Sequence, residues 1–187
     1  MKKYIGLLVV FMITTVFTAS AKEGSASLSV QACIAVPTGD FGDAFGTGFG
    51  GGVTLLYEFR KSIWLTGHFA YTTYGPKEKL PEGVSARFNI IPLNVGIRFG
   101  LSEKKTIPYI GGDIGVFFES GYVKGEVLGQ KIDVRSSTSD FGIAPMFGLI
   151  IPVGSVSLDL NAKYNVIFSE DVSTTYLAVN LGLNFVL

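Results

Sequence analysis

Six ionisable side chains recur at alternating positions in segments that are otherwise rich in glycine, serine, threonine and asparagine. They are Glu58, His68, Arg98, Asp113, Asp159 and Lys163. Opposite charges that are held close together form charge-assisted hydrogen bonds, and a histidine beside a hydroxyl or carboxylate can act as a general base. The set therefore predicts either a structural network of ion pairs or a reactive site.

His68 decides between these two kinds of chemistry. It is the only histidine in the chain, which excludes a metal site built from several histidines. A lipid-modifying enzyme would need His68 to act with a serine or an aspartate, and the sequence places no serine as its partner. A hydrogen-bonded interior histidine is the simpler interpretation. We therefore predict no enzymatic activity, no catalytic residue and no metal. The alternative, a lipid-modifying enzyme, would be supported if substitution of His68 abolished lipid turnover.

Two glycine-rich motifs have structural explanations. Residues 46–51 read GTGFGG and match the spacing of dinucleotide-binding loops, but such a loop follows a strand and opens a helix, whereas this one precedes a strand. Its glycines instead leave room for Trp64, Tyr109 or other bulky interior groups. Asp40 and Asp43 lie in a GDFGD sequence that is typical of a turn rather than of a cation site. No cofactor is expected.

The ionisable residues lie in segments whose apolar side chains occupy every second position. In residues 176–187 the odd positions are all large and apolar, and the even positions are mostly small or polar. A period of two indicates a strand with two different faces, and no segment after residue 21 shows the helical period of 3.6. We predict eight strands, at about residues 25–36, 47–59, 63–73, 87–100, 107–119, 141–151, 156–168 and 176–187.

The connections between these strands alternate in length. Short links at 60–62, 101–106 and 153–155 fall on one side, and long links at 38–45, 75–83, 120–139 and 169–175 fall on the other. Short periplasmic turns and long outer loops are typical of outer-membrane barrels. The predicted fold is therefore all-β, an eight-stranded antiparallel up-and-down transmembrane β-barrel, whose closure removes exposed strand edges.

Volume and charge predict that the apolar face points outward. The apolar faces carry roughly forty side chains, more than the interior of an eight-stranded barrel can hold. The central strand segments have no charge on that face, where an Arg or Lys in lipid would cost about 2–4 kcal/mol. We therefore expect Glu58, Arg98, Asp113, Asp159 and Lys163 to form an ion-paired plug. A narrow channel and a soluble lipocalin-like ligand-binding barrel are the alternatives.

Residues 1–21 have the pattern of a secretory signal peptide. Lysines occupy positions 2 and 3, an apolar run covers 5–17, and the small residues ASA occupy 19–21. The apolar run is shorter than the roughly 20 residues of a transmembrane helix. Cleavage would leave a barrel domain at 22–187, in which 13 basic residues stand against 15 acidic ones. That balance argues against nucleic acid as a partner.

The longest connection, residues 120–139, interleaves apolar and charged side chains. This pattern predicts a β-hairpin that extends the fifth and sixth strands above the membrane, and its exposed edge could accept a strand from a partner. The candidate interaction residues are Tyr122, Lys124, Glu126, Lys131, Asp133 and Arg135. The alternative is a solvated hairpin without a partner.

Several short motifs at strand positions resemble those of a known family. They are Pro37 with GDFG at 39–42, the glycines of 46–52, IPLNVGIRF at 91–99 and PYIGGDIG at 108–115. They are similar to the small outer-membrane β-barrel proteins of Gram-negative bacteria, a group that includes the membrane domain of outer-membrane protein A. The resemblance covers residues 22–187 and implies an integral protein of the cell outer membrane. Such a protein contacts outer-membrane lipid. For this chain we expect a non-enzymatic role in which the extracellular loops are presented to a protein or surface partner.

Overall fold

The computed structural model describes residues 24–187 except 82, 103–104, 128–129 and 170–172. At residues 126–127 and 130–132 it describes the backbone only. The signal peptide predicted at 1–21 lies outside these residues. The described chain contains eight strands and one short helix. They are β1 (Ala26–Thr38), α1 (Gly39–Ala44), β2 (Gly48–Arg60), β3 (Ile63–Tyr74), β4 (Ser85–Gly100), β5 (Ile107–Val127), β6 (Gln130–Val153), β7 (Val156–Phe168) and β8 (Thr174–Val186).

The strands form one closed barrel in sequence order. Each strand pairs antiparallel with the next, and β1 pairs with β8 from Ser27↔Val186 to Thr38↔Thr175. The predicted eight-stranded up-and-down barrel is confirmed. Because every strand pairs with two neighbours, the closed barrel leaves no open sheet edge facing lipid.

The apolar face points outward, as the sequence predicts. Leu160 and Leu181 are 43% and 55% exposed on the outside, whereas Asp159 and Lys163 are 0% and 3% exposed on the inside. Exposed phenylalanines ring both ends of the apolar surface: Phe59, Phe99 and Phe185 near the short turns, and Phe49, Phe118, Phe141 and Phe168 near the long connections. An apolar surface of this size is favourable in contact with lipid and unfavourable in contact with water.

The interior is layered rather than uniformly polar. Charged and amide side chains occupy the middle of the barrel, and an aromatic and aliphatic cluster fills the end toward the long connections. A smaller cluster of Tyr109, Met146 and Ile150 closes the end toward the short turns. Glycines make room for these bulky groups. A Cβ on Gly48 would lie 2.5 Å from the Tyr74 ring, and one on Gly148 would lie 2.6 Å from that of Tyr109.

The prediction that no helix follows residue 21 was wrong. Residues Gly39–Ala44 form the six-residue helix α1, which packs inside the outer mouth of the barrel and buries Phe41. The helix is fixed from the side by Lys77, whose Nζ donates to the carbonyl of Gly42 at 2.7 Å. In the described part of the chain no helix is long and apolar enough to cross a membrane.

The predicted ends of the fifth and sixth strands were also wrong. The β5–β6 ladder continues past Glu119 and Phe141 as far as Val127↔Gln130. Pairing continues because apolar and polar residues still alternate through this stretch, so the two strands can form a hairpin without the support of lipid. The hairpin itself was correctly predicted, but it is a direct continuation of the barrel wall.

Candidate functional site

Arg98 and Asp159 form a fully buried ion pair in the middle of the interior. Arg98 Nη1 donates to Asp159 Oδ2 at 2.7 Å, and both side chains are 0% exposed. Tyr109 Oη and Asn161 Nδ2 donate to the other carboxylate oxygen at 2.7 and 3.2 Å. The Tyr109 ring also lies 4.9 Å from Arg98 Cζ. The carboxylate therefore accepts three hydrogen bonds, which offset much of the cost of burying it.

Lys163 and Asp113 form a second buried pair. Lys163 Nζ donates to Asp113 Oδ2 at 2.6 Å, and Thr66 Oγ1 donates to Oδ1 at 3.2 Å. Gly96 faces the same carboxylate, and a Cβ there would collide with Asp113. The strand alternation that places β4, β5 and β7 residues inward thus brings two cations and two anions into one compartment. Their charges cancel, as burial in a low dielectric requires.

The structure does not bring the other two predicted interior residues into these pairs. Glu58 lies at the rim beside the β2–β3 turn, where its carboxylate accepts from the Ser62 N–H at 2.8 Å and from Ser25 Oγ at 3.3 Å. A register shift between Glu58 and Arg60 marks this end of the ladder. His68 is buried and shares a 2.8 Å hydrogen bond between its Nδ1 and Thr54 Oγ1.

The surroundings of His68 and of the acidic side chains differ from those that the sequence analysis considered for a reactive or metal-binding site. The histidine has a threonine partner rather than a serine or a carboxylate. Within the described residues, no group of three or more His, Cys, Asp or Glu side chains is placed to hold a metal ion. The middle of the interior is built for close packing of paired charges, which stabilises a single arrangement.

An aromatic cluster at the outer mouth was not predicted. Phe41 lies 5.1 Å from Phe45, 5.1 Å from Tyr74 and 5.3 Å from Phe88 between ring centroids. Tyr176 joins from the opposite wall, 6.0 Å from Tyr74. The signal for it is the i, i+4 spacing of Phe41 and Phe45, which places both rings on one side of a helical turn. This cluster lies between the buried ion pairs and the end of the barrel that carries the long connections.

The upper hairpin presents most of the predicted interaction residues on its outer face. Lys124 and Asp133 pair across the ladder, as do Tyr122 and Arg135. Lys124 Nζ lies 5.6 Å from the Tyr122 ring centroid, and Arg135 Nε lies 3.2 Å from Asp133 Oδ1. The backbones of Glu126 and Lys131 pair near the tip, and their side chains lie outside the described part of the chain.

The two edges of the hairpin differ. On one side β4 follows β5 up to the pair Ser85↔Lys124. On the other side the pairing of β7 with β6 begins at Phe168↔Phe141 and runs from there toward the short turns. Among the described residues, the upper part of β6 from Gln130 to Asp140 therefore pairs with β5 alone. The side chains of residues 133–139 are exposed, and within the described part of the chain no strand pairs with the second edge of this segment.

A closed barrel with an apolar exterior, paired charges buried in its interior and long connections on one side defines a transmembrane barrel of the outer-membrane type. Comparison with family models places the chain more narrowly. It belongs to the outer membrane protein beta-barrel domain family, whose model matches residues 6–185. The family of outer-membrane proteins that the sequence resembles is thereby confirmed, and it implies an outer-membrane location.

Solved structures show the same fold. Neisserial surface protein A is 17% identical with a TM-score of 0.55, and the match covers 87% of this chain and 97% of that one. Ail, the attachment invasion locus protein of Yersinia pestis, is 21% identical with a TM-score of 0.59, over 88% and 100% of the two chains. A major outer membrane protein of Thermus thermophilus is 14% identical with a TM-score of 0.60, over 87% and 99%. A search of curated proteins gave no match.

The packed interior predicts the result of an electrical measurement. Refolded protein in a planar lipid bilayer is expected to show no steady single-channel current, because buried charged pairs and an aromatic cluster occupy the interior of a barrel this narrow. Detergent without protein provides the baseline. Steady, large currents would contradict the plug and favour a narrow channel for small solutes.

Proposed function

We propose that the protein is a non-enzymatic outer-membrane protein that binds a protein partner at the cell surface through the hairpin of residues 120–139. In this proposal residues 1–21 direct export and are then removed. The barrel anchors the hairpin and holds its base rigid. The single observation that carries the proposal is that, among the described residues, β6 between Gln130 and Asp140 pairs with β5 alone.

The chemistry of this edge suits an extended peptide. Natural edge strands are usually protected by proline, by a bulge or by a covering element. Residues 133–140 read DVRSSTSD and contain no proline, and their ladder with β5 runs without a register shift. An added strand would gain main-chain hydrogen bonds along this edge. The exposed Asp133 and Arg135 side chains would select the charge pattern of the partner.

The names of two similar structures belong to this class of function. The Neisserial protein is named for the cell surface, and the Yersinia protein is named for attachment and invasion. At 17% and 21% identity, their similarity to this chain is a similarity of fold alone. The narrow channel is the second candidate, and the buried charge pairs in the middle of the barrel count against it.

Peptide selection tests the proposal. The protein in lipid nanodiscs would be exposed to a phage-displayed library of random 12-residue peptides, and the same selection would be made with a variant lacking residues 122–135. Peptides selected by the intact protein are expected to lose binding to the deletion variant and to slow amide hydrogen exchange at residues 130–140, because their backbones pair with β6.

Two controls make the result interpretable. A compact gel band that shifts on boiling must persist in the deletion variant, which shows that the barrel still folds. The double variant Lys124→Gln/Arg135→Gln keeps the edge but removes two charges, so it should change which peptides are selected and weaken binding less than the deletion does. Peptides that bind the deletion variant as well as the intact protein would rule out the hairpin as the binding element.

A further inference from the structure

The edge of β6 that faces away from β5 carries a symmetrical pattern of side chains. Asp133 and Arg135 lie two positions apart on the outer face of the hairpin, and their side chains are 56% and 66% exposed. Val134 lies between them on the other face and is 60% exposed. In the described part of the chain no strand pairs with this edge between Gln130 and Asp140. Opposite charges therefore flank one exposed apolar residue on an edge that can accept a strand.

This pattern is complementary to itself in one antiparallel register. When two copies of a strand pair around a two-fold axis, residues at equal distances on either side of the axis lie opposite each other. Like faces stay together only if the axis passes through a residue. An axis at Val134 places Asp133 of each copy opposite Arg135 of the other. An axis at Asp133 or Arg135 places like charges opposite each other, and one at Ser136 places both charges opposite serines.

The register centred on Val134 gives four charges that alternate in sign. Within one copy Arg135 Nε lies 3.2 Å from Asp133 Oδ1. Across the new ladder each Arg135 gains a second carboxylate, and its guanidinium has enough N–H donors for both. The two Val134 side chains cover each other on the opposite face, which removes apolar surface from water.

The direction of β6 requires the two copies to come from facing membranes. Copies in one membrane carry β6 in the same direction, and because barrel strands tilt by about 35–45° these strands would cross rather than run antiparallel. The seven positions from Phe141 to Val134 raise the axis roughly 18 Å above the apolar band. That height exceeds the headgroup layer of roughly 5–8 Å, so the segment is within reach of a copy on the other side.

We infer that the β6 edge pairs antiparallel with the same edge of a second copy of this chain in a facing membrane, with Val134 at the two-fold axis. The inference rests on the proposed function, because it names the protein partner that the hairpin binds. Main-chain hydrogen bonds along the edge hold the two copies together, and the alternating charges fix the register.

Clustering of lipid vesicles that carry the protein tests this pairing and can be followed by light scattering. Vesicles with the intact protein are expected to cluster, whereas empty vesicles stay apart. Arg135→Asp and Asp133→Arg each place like charges opposite each other, so each variant alone should reduce clustering at least about tenfold. A mixture of vesicles carrying the two variants should cluster again, because every charge then faces its opposite. The gel band that shifts on boiling must persist in both variants.

Cysteine cross-linking separates this register from general attraction between charged vesicles. Val134→Cys places two thiols at the axis, with Cα atoms about 4.5–5.5 Å apart, and mild oxidation should join them. Ser136→Cys is the matched control on the same face, and its two copies lie roughly 13 Å apart along the strands, too far for a disulfide. Cys33 is buried and common to both variants. Equal cross-linking of the two variants, or none of Val134→Cys, would overturn the inference.

The self-pairing and the proposed function can fail separately. Vesicles that stay apart, while selected peptides still bind the intact hairpin and not the deletion variant, would reject only the second copy as the partner. Clustering that persists after deletion of residues 122–135 would show that another surface joins the vesicles, and the inference would again be wrong.

Discussion

Replacing Asp159 by alanine is expected to destabilise the barrel by about 3–5 kcal/mol, because the substitution leaves a buried guanidinium without its counter-charge. Arg98 is 0% exposed, and its Nε and Nη2 already lack partners among the described residues. The variant would also leave Tyr109 Oη and Asn161 Nδ2 without the acceptor that both now share. The loss should appear in urea unfolding in lipid vesicles, followed by the fraction of fast-migrating folded band.

The double variant Arg98→Met/Asp159→Leu removes both charges. Comparing its stability with that of Asp159→Ala separates the contribution of the ion pair from the cost of leaving Arg98 buried without a counter-charge. Apolar side chains of similar size often replace a buried ion pair with little loss of stability. We therefore expect the double variant to unfold at a higher urea concentration than Asp159→Ala. A single variant that lost less than about 1 kcal/mol would show that water reaches Arg98 and that the interior is open.

Replacing Leu160 by arginine is expected to cost about 2–4 kcal/mol, because the new charge faces the middle of the lipid layer. Leu160 pairs with Leu181 and Leu149 on its two neighbouring strands, and all three side chains are exposed on the outer surface. No acidic partner can neutralise an arginine in that apolar band. The same vesicle-based unfolding measurement would report the loss of stability.

Leu101→Arg is the matched control for depth. Leu101 is 62% exposed and follows the end of β4 on the side of the short turns, outside the apolar band. An arginine near the interface costs about 0–1 kcal/mol. Similar losses from the two variants would mean that the apolar surface does not face lipid, and the inside-out arrangement of the barrel would then be rejected.

Strand number and the face that each residue occupies were predictable from the sequence because a strand has a period of two. In β7, Asp159 and Lys163 alternate with large apolar residues over thirteen positions, so parity alone directs them inward. The same reasoning placed Arg98 and Asp113 correctly on the inner face. Lipid on one side and packed side chains on the other leave no choice of face.

Partners inside the barrel were not predictable in the same way. Arg98 and Asp159 are separated by 61 positions and lie on strands that are not neighbours, so their contact depends on the curvature and height of the whole wall. Glu58 has the inward parity but lies too near the rim to reach the pairs. Glu119 has the same inward parity, but only the structure shows that Asp140 lies on the neighbouring strand close to it.

Helix α1 shows how local composition can mislead. Gly39, Asp40, Gly42 and Asp43 are all typical of turns, and six residues are too few for a helical period to be recognised. The helix exists because burial of Phe41 against the aromatic cluster stabilises it. Packing contacts across the barrel outweigh the preferences of the segment itself.

The closing ladder between β1 and β8 has a consequence for assembly. It joins Ser27 to Val186, so the first and last strands meet only after the whole chain is available. An inserted sheet of fewer strands would expose two long rows of unpaired amide and carbonyl groups to hydrocarbon, at several kcal/mol per group. Insertion and closure must therefore be concerted, and a chain truncated before β8 should be retained outside the bilayer rather than form a smaller cylinder.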